Sequence, residues 1–357
     1  MSIRTNLWGI AILLLFICSC NKKEFNPIVP EQATVIEFGK VATKAVDNID
    51  DISKFGVSIA MSNTISGTDY VSLLNDETVT KVVPESGPVQ WNYDKTRYWL
   101  ENSHYYFVAS ASDQEIQGFQ EVPVTIDGVK YIGYALEVET PSNADLDILT
   151  ATRYVNTPSD LNTTENGWSK TVSLNFSHLL TKVNFKIKQD FTSDPDNDYY
   201  IRKVTVSNIQ NKGIYELTPN NGEFAPRMYI SDDSSLDAYV KEFNSPIVLR
   251  GATNDDQNNK DALKVWENGL LLIPQDVREN TIRVRIDYDY LRKGSETFKP
   301  LFIEVYIPTP KNDGEKWGSG KQLTYILKIA NPTEIKFDAP VIEPWGSPQT
   351  GGTVIIK

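Results

Sequence analysis

The sequence predicts an all-β protein built as two antiparallel β-sandwich domains, and three observations carry that expectation. Lys182-Val183-Asn184-Phe185-Lys186-Ile187-Lys188 alternates polar and apolar residues without interruption, and so does Arg283-Val284-Arg285-Ile286-Asp287-Tyr288, as a strand with one buried face requires. Turn chemistry such as Asn220-Asn221-Gly222 and Thr309-Pro310-Lys311-Asn312-Asp313-Gly314 separates the apolar runs. Helix-forming windows are scarce, and many short strands that do not alternate with helices point to antiparallel sandwiches rather than a parallel α/β sheet.

Taken in chain order, the first element is an export signal. Arg4 supplies a positive start, and Leu7 to Ile17 is an uncharged apolar run of eleven residues. As a helix that run is about 16 Å long, against about 30 Å of bilayer hydrocarbon, so it is too short to span. Residues 1–19 therefore read as a secretory signal. The run ends in Ile17-Cys18-Ser19-Cys20, which resembles the lipobox of bacterial lipoproteins; that resemblance implies diacylglycerol on Cys20 and cleavage just before it. The two cysteines of the chain both lie here, whereas a secreted protein held by disulfides carries its cysteines in the folded body. Residues 20–32, polar and broken by Pro27 and Pro30, read as a lipidated tether.

From Val35 onward strands dominate. Further runs are predicted at Phe55–Met61, Tyr105–Ala111, Tyr131–Val138, Ile201–Ile209, Leu301–Ile307 and Leu323–Ile329. Only Ala144–Ala151 and Ser235–Phe243 suit short helices. At 357 residues the chain favours two domains. The polar, turn-forming stretch Thr157 to Gly167 suggests a boundary giving domains 33–166 and 167–357, with Gln189 to Asp198 as another candidate.

Composition narrows the function. The net charge of −12 becomes one unit more negative when the signal and its Arg4 are removed, which argues against nucleic acid as a partner. The two histidines, His104 and His178, lie far apart, and no serine sits in a G-x-S-x-G setting. Both read as packing or hydrogen-bonding residues. Without thiols in the body a zinc site of nitrogen and sulfur ligands is not expected. Asp194-Pro195-Asp196-Asn197-Asp198 opens like a calcium loop, yet Tyr199 and Thr205 stand where an EF-hand wants Gly and Glu. The expectation is a non-enzyme with no cofactor and no metal. Trp91, Tyr93, Tyr98, Trp99, Tyr105, Tyr106 and Phe107 crowd one region; they suit either a sheet core or a platform for sugars.

Several segments, in order, resemble the fimbrillin-like lipoproteins of Bacteroidales. These are Asp145-Leu146-Asp147-Ile148-Leu149-Thr150-Ala151, Leu174-Asn175-Phe176-Ser177-His178-Leu179-Leu180-Thr181-Lys182-Val183 and Leu271-Leu272-Ile273-Pro274-Gln275. Trp317-Gly318-Ser319-Gly320 and Val341-Ile342-Glu343-Pro344-Trp345 complete the series. The resemblance implies a fimbrial (pilus) subunit or accessory protein supporting adhesion, with a transthyretin-like topology in each sandwich. It implies a lipid anchor in the outer membrane and other fimbrial subunits or copies of itself as partners. A host glycan or protein ligand fits the same role.

In that family an N-terminal strand is clipped off after a basic residue and replaced by a strand from a neighbour. Here the removable strand is expected at Thr34–Phe38, with processing at Lys40 or Lys44; lysine stands where stalk subunits usually carry arginine. Thr353-Val354-Ile355-Ile356, behind the turn-forming Pro348 to Gly352, has the short apolar character of a donor strand, and it equally suits a last strand paired within its own domain. The alternative function is a surface carbohydrate-binding lipoprotein that uses the Trp91–Phe107 aromatics.

Overall fold

In a computed structural model the described residues are 33–43, 52–65, 70–112, 118–126, 128–140, 146–163, 168–190, 196–220, 222–249, 262–310 and 316–345. Among them every regular element is a strand. The uninterrupted alternations become β10 (Thr181–Gln189) and β17 (Arg283–Arg292), whose inward residues Val183, Phe185, Ile187, Val284, Ile286 and Tyr288 are fully or almost fully buried.

The first sheet closes on itself. Its seven strands are β1 (Glu37–Thr43), β2 (Lys54–Ser62), β3 (Val71–Val82), β4 (Gln90–Asn92), β5 (His104–Ser112), β8 (Ile148–Asn156) and β9 (Thr171–His178), in the order β1-β4-β3-β2-β5-β8-β9 and back to β1. Closure removes the exposed edges of an open sheet. Most pairs are antiparallel, but β1 runs parallel to β9. Ile36, Phe38, Phe55, Val57, Ile59, Phe107, Leu174 and Phe176 fill the interior.

The second body is a sandwich. One layer is β15 (Leu263–Lys264), β10, β19 (Lys321–Asn331) and β20 (Glu334–Phe337), with β16 (Leu270–Leu272) on β10 and β21 (Val341–Pro344) on β19. The facing layer is β14 (Leu236–Val248), β11 (Asn197–Gln210), β17 and β18 (Lys299–Tyr306). Trp317, Tyr199, Tyr288 and Tyr325 are buried between them.

A third sheet, β13 (Glu223–Ile230), β12 (Lys212–Asn220), β7 (Val129–Glu139) and β6 (Gln120–Ile126), lies against the outside of the barrel. There Tyr134, Leu136, Val138 and Leu217 pack with Ala60, Val108 and Ile148. The stretch 157–167, expected as a domain boundary, lies between two strands of one barrel, since β8 and β9 pair at Leu149–His178 and Thr150–Ser177. The third sheet likewise joins β6 and β7 from before that stretch to β12 and β13 from after it.

Two expectations are corrected. Residues 148–151 of the first expected helix begin β8, and 236–243 of the second lie in β14, paired with β11 from Leu236–Gln210 onward. Helix-compatible composition yields to cross-strand pairing, because a long neighbouring edge offers β14 a full ladder of partners.

Candidate subunit interface

The residues in front of β1 enter the barrel by a short crossing. Val35 bridges Tyr98, the Ile36 amide donates to the Arg97 carbonyl (2.8 Å), and the Trp99 amide donates to the Thr34 carbonyl (2.9 Å). The Tyr93 hydroxyl donates to the carbonyl of Ile36 (2.8 Å). Phe38 then turns inward, its ring edge-on to Phe55, Tyr93 and Phe107 at 5.7, 5.6 and 6.3 Å. The strand that closes the barrel is thus also a plug in its core.

Its two flanks are unequal. Towards β9 the parallel ladder runs from Glu37–Thr171 to Thr43–Phe176, slipping between Phe38 and Val41. Towards β4 there is the single pair Phe38–Trp91. Beyond that pair β1 and β4 part, and a groove of about 780 Å³ opens between them, lined by Gly39, Val41, Ile52, Lys81, Val89 and Trp91 among others. The backbone at Gly39 runs so close to β9 that a Cβ there would collide with Cγ2 of Thr171.

The strand extends further than expected. The ladder covers Glu37–Thr43 rather than ending at Phe38, so Lys40 lies inside β1 and Lys44 follows its last residue. Cys20, Lys44 and Thr353, Val354, Ile355 and Ile356 lie outside the described residues, as does the side chain of Lys40.

The other singled-out residues have structural surroundings. Trp99, Tyr105, Tyr106 and Phe107 are buried, Trp91 and Tyr93 pack against the barrel core and Tyr98 is half-buried, so most of the aromatic crowd is used in packing. Nδ1 of His104 is 2.6 Å from the Tyr154 hydroxyl. Nδ1 of His178 lies 2.9 and 3.0 Å from the carboxylate oxygens of Asp147. No serine or threonine hydroxyl is hydrogen-bonded to the His178 ring among the described residues. Asp196 is a turn residue and Asn197 and Asp198 begin β11; among the described residues no cluster of histidine and acids has metal-holding geometry. What the sequence did not disclose is how thinly β1 is joined to β4, because pair counts follow from the path of the whole barrel.

An all-β protein whose first barrel is sealed by its own N-terminal strand is the class these features define. A family model described as fimbrillin-like matches residues 41–345, and the chain belongs to that family. A fimbrial protein from Bacteroides vulgatus shares the fold, with a TM-score of 0.57 at 18% identity over 87% of this chain and 99% of that one. A structure from Bacteroides uniformis, named as a candidate cell adhesion protein, aligns at 15% identity and a TM-score of 0.46 over 88% of this chain and 99% of that one. No curated protein sequence matches the chain.

Proposed function

We propose that this protein is a subunit of a cell-surface fimbria serving adhesion, exported as a lipoprotein through Cys20 and joined to its neighbours by strand exchange at β1. The family and the fold support the fimbrial role. The observation that carries the exchange is the uneven attachment of β1, which meets a full ladder on β9 and one residue pair on β4. Loss of β1 would leave two strand edges and the slot of Phe38 open to water. Another strand would satisfy those edges best, since unpaired edge groups and an exposed apolar slot are both costly.

The order of the residues favours Lys44 over Lys40 as the processing point. Cleavage after Lys44 releases all of β1, whereas cleavage after Lys40 leaves Val41 to Thr43 on β9. Thr353 to Ile356 of a neighbouring copy would supply the replacement, with Val and Ile side chains of a size to enter the apolar slot. Before processing, the lipid on Cys20 would hold the chain in the outer membrane, each buried methylene contributing roughly 0.8 kcal/mol. No catalytic step by this chain is needed.

The test is the N-terminus and oligomeric state of the protein recovered from cell surfaces. The proposal expects a form beginning at Ala45 and SDS-resistant ladders; replacing Lys44 should abolish both, and deleting residues 353–357 should abolish the ladders while leaving the Ala45 form. A purely intact acylated Cys20 form with no multimers would remove strand exchange and leave an anchored surface protein.

A further inference from the structure

The barrel has a second thin seam, between β8 and β9. The two strands pair only at Leu149–His178 and Thr150–Ser177, with the Leu179 amide donating to the Ile148 carbonyl at the closed end (2.8 Å). Beyond Thr150 they part. A cleft of about 520 Å³ opens between Arg153–Pro158 on one side and Trp168–Ser173 on the other.

Arg153 is the unusual residue in it. Ala151, two positions before it, belongs to the barrel core and Val155, two positions after, packs against that core while half-buried, so alternation puts Arg153 on the core side of β8, across from the fully buried Phe107. It is nevertheless exposed, and among the described residues it has no ion pair and no hydrogen bond. A guanidinium at a core-facing position ordinarily has an acid beside it. This chain, with 47 acids, leaves this one open to the cleft.

The rest of the lining adds a wall and hydrogen-bonding groups. Trp168 is half-buried and held in place, its Nε1 donating to the Leu161 carbonyl (3.3 Å) and its ring edge-on to Trp99 at 5.0 Å. Asn156, Ser169 and Ser173 are exposed around it. The Thr157 amide donates to the carbonyl of Ser103, just ahead of β5, so alternation along β8 turns the peptide groups of Tyr154 and Asn156 away from β5, towards the cleft.

We propose that this seam is a binding cleft for an anionic saccharide, a sugar bearing a carboxylate such as a uronic or sialic acid. The guanidinium fork matches a carboxylate in two parallel hydrogen bonds. The fixed indole takes the apolar face of the ring, and the amide, hydroxyl and peptide groups take its hydroxyls. A polyanion such as nucleic acid is disfavoured by the net charge of −12. A bound peptide strand would want apolar side-chain pockets where Asn156, Ser169 and Ser173 stand. The inference does not depend on strand exchange, because β8 and β9 are present whether or not β1 is replaced.

Isothermal titration of the full folded protein with sialyllactose, monomeric galacturonic acid and neutral lactose decides it. The acidic sugars are expected to bind roughly tenfold or more tightly than lactose. Arg153→Gln should erase that preference without lowering the melting temperature, and Arg153→Lys should restore part of it. Trp168→Phe, which keeps an aromatic wall, should retain binding that Trp168→Ala weakens. Equal or absent binding of all three sugars overturns the proposal, as does a preference that survives in Arg153→Gln. Displacement of nothing by sugar but Arg153-dependent binding of an acidic peptide would reassign the cleft to a peptide.

Discussion

The imidazole of His178 lies flat on the indole of Trp345, ring centroids 3.7 Å apart and 9° from parallel. Asp147 holds the other edge of the imidazole through Nδ1, and the Lys182 ammonium sits 5.6 Å from the centre of the indole. The Trp345 amide donates to the Gly320 carbonyl (2.8 Å). One ring at the end of β9 and one just after β21 thus tie the barrel to the sandwich.

Trp345→Ala should therefore cost about 3 to 5 kcal/mol, as large-to-small changes at buried aromatic positions do. His178→Phe keeps a flat ring against the indole but leaves Asp147 without its donor, and should cost about 1 to 3 kcal/mol. Urea unfolding of the two variants separates the packing contribution from the polar one.

Gly39→Ala should loosen β1 selectively. The new methyl meets Cγ2 of Thr171, and an overpacked contact of that kind costs about 1 to 3 kcal/mol. Thr171→Ser removes that methyl and should restore most of the loss in the double variant. A double variant no better than Gly39→Ala alone would mean that the strain lies elsewhere. Hydrogen exchange of the β1 and β9 amides reads the effect locally.

Phe38→Ala should open the barrel at the same seam, because three aromatic rings lose their edge contact with Phe38. A loss of about 3 to 5 kcal/mol is expected. On the strand-exchange reading it should also speed replacement of β1 by a synthetic peptide of residues 353–357, followed by native mass spectrometry.

Alkali should unfold the protein through its buried phenols. Burial pushes Tyr105, Tyr288 and Tyr325 up to about 12, above the ordinary value near 10. Between those values the unfolded chain has lost phenolic protons that the folded one keeps. Stability is full below pH 10 and falls as pH rises towards 12. Tyrosinate absorbance of these residues should appear together with loss of the circular dichroism signal in that window, and stepwise ionisation of a still-folded protein would contradict it.

Much of the fold was legible locally. Lys182 to Lys188 and Arg283 to Tyr288 announced strands because burial on one face imposes period two on the residues themselves. Phe55–Met61 and Tyr105–Ala111 were legible as short apolar runs and became β2 and β5, strands covered on both faces. Ser235–Phe243 misled, since its helix-compatible residues meet a strand edge supplied from more than twenty residues upstream. The aromatic crowd from Trp91 to Phe107 could be read as a core or a platform until the barrel closed around it.

By itself the sequence determined the all-β class and the order of segments that marks a fimbrillin-like chain, because each is written in residues next to one another. Tertiary structure alone decided that β1 meets β9 in parallel and β4 at a single pair, that β8 and β9 part after Thr150, and that Arg153 faces an opening instead of an acid. Those facts depend on how distant strands share a closed circumference. Pairing across such separations is set by the geometry of the whole sheet and leaves no trace in any local run of residues.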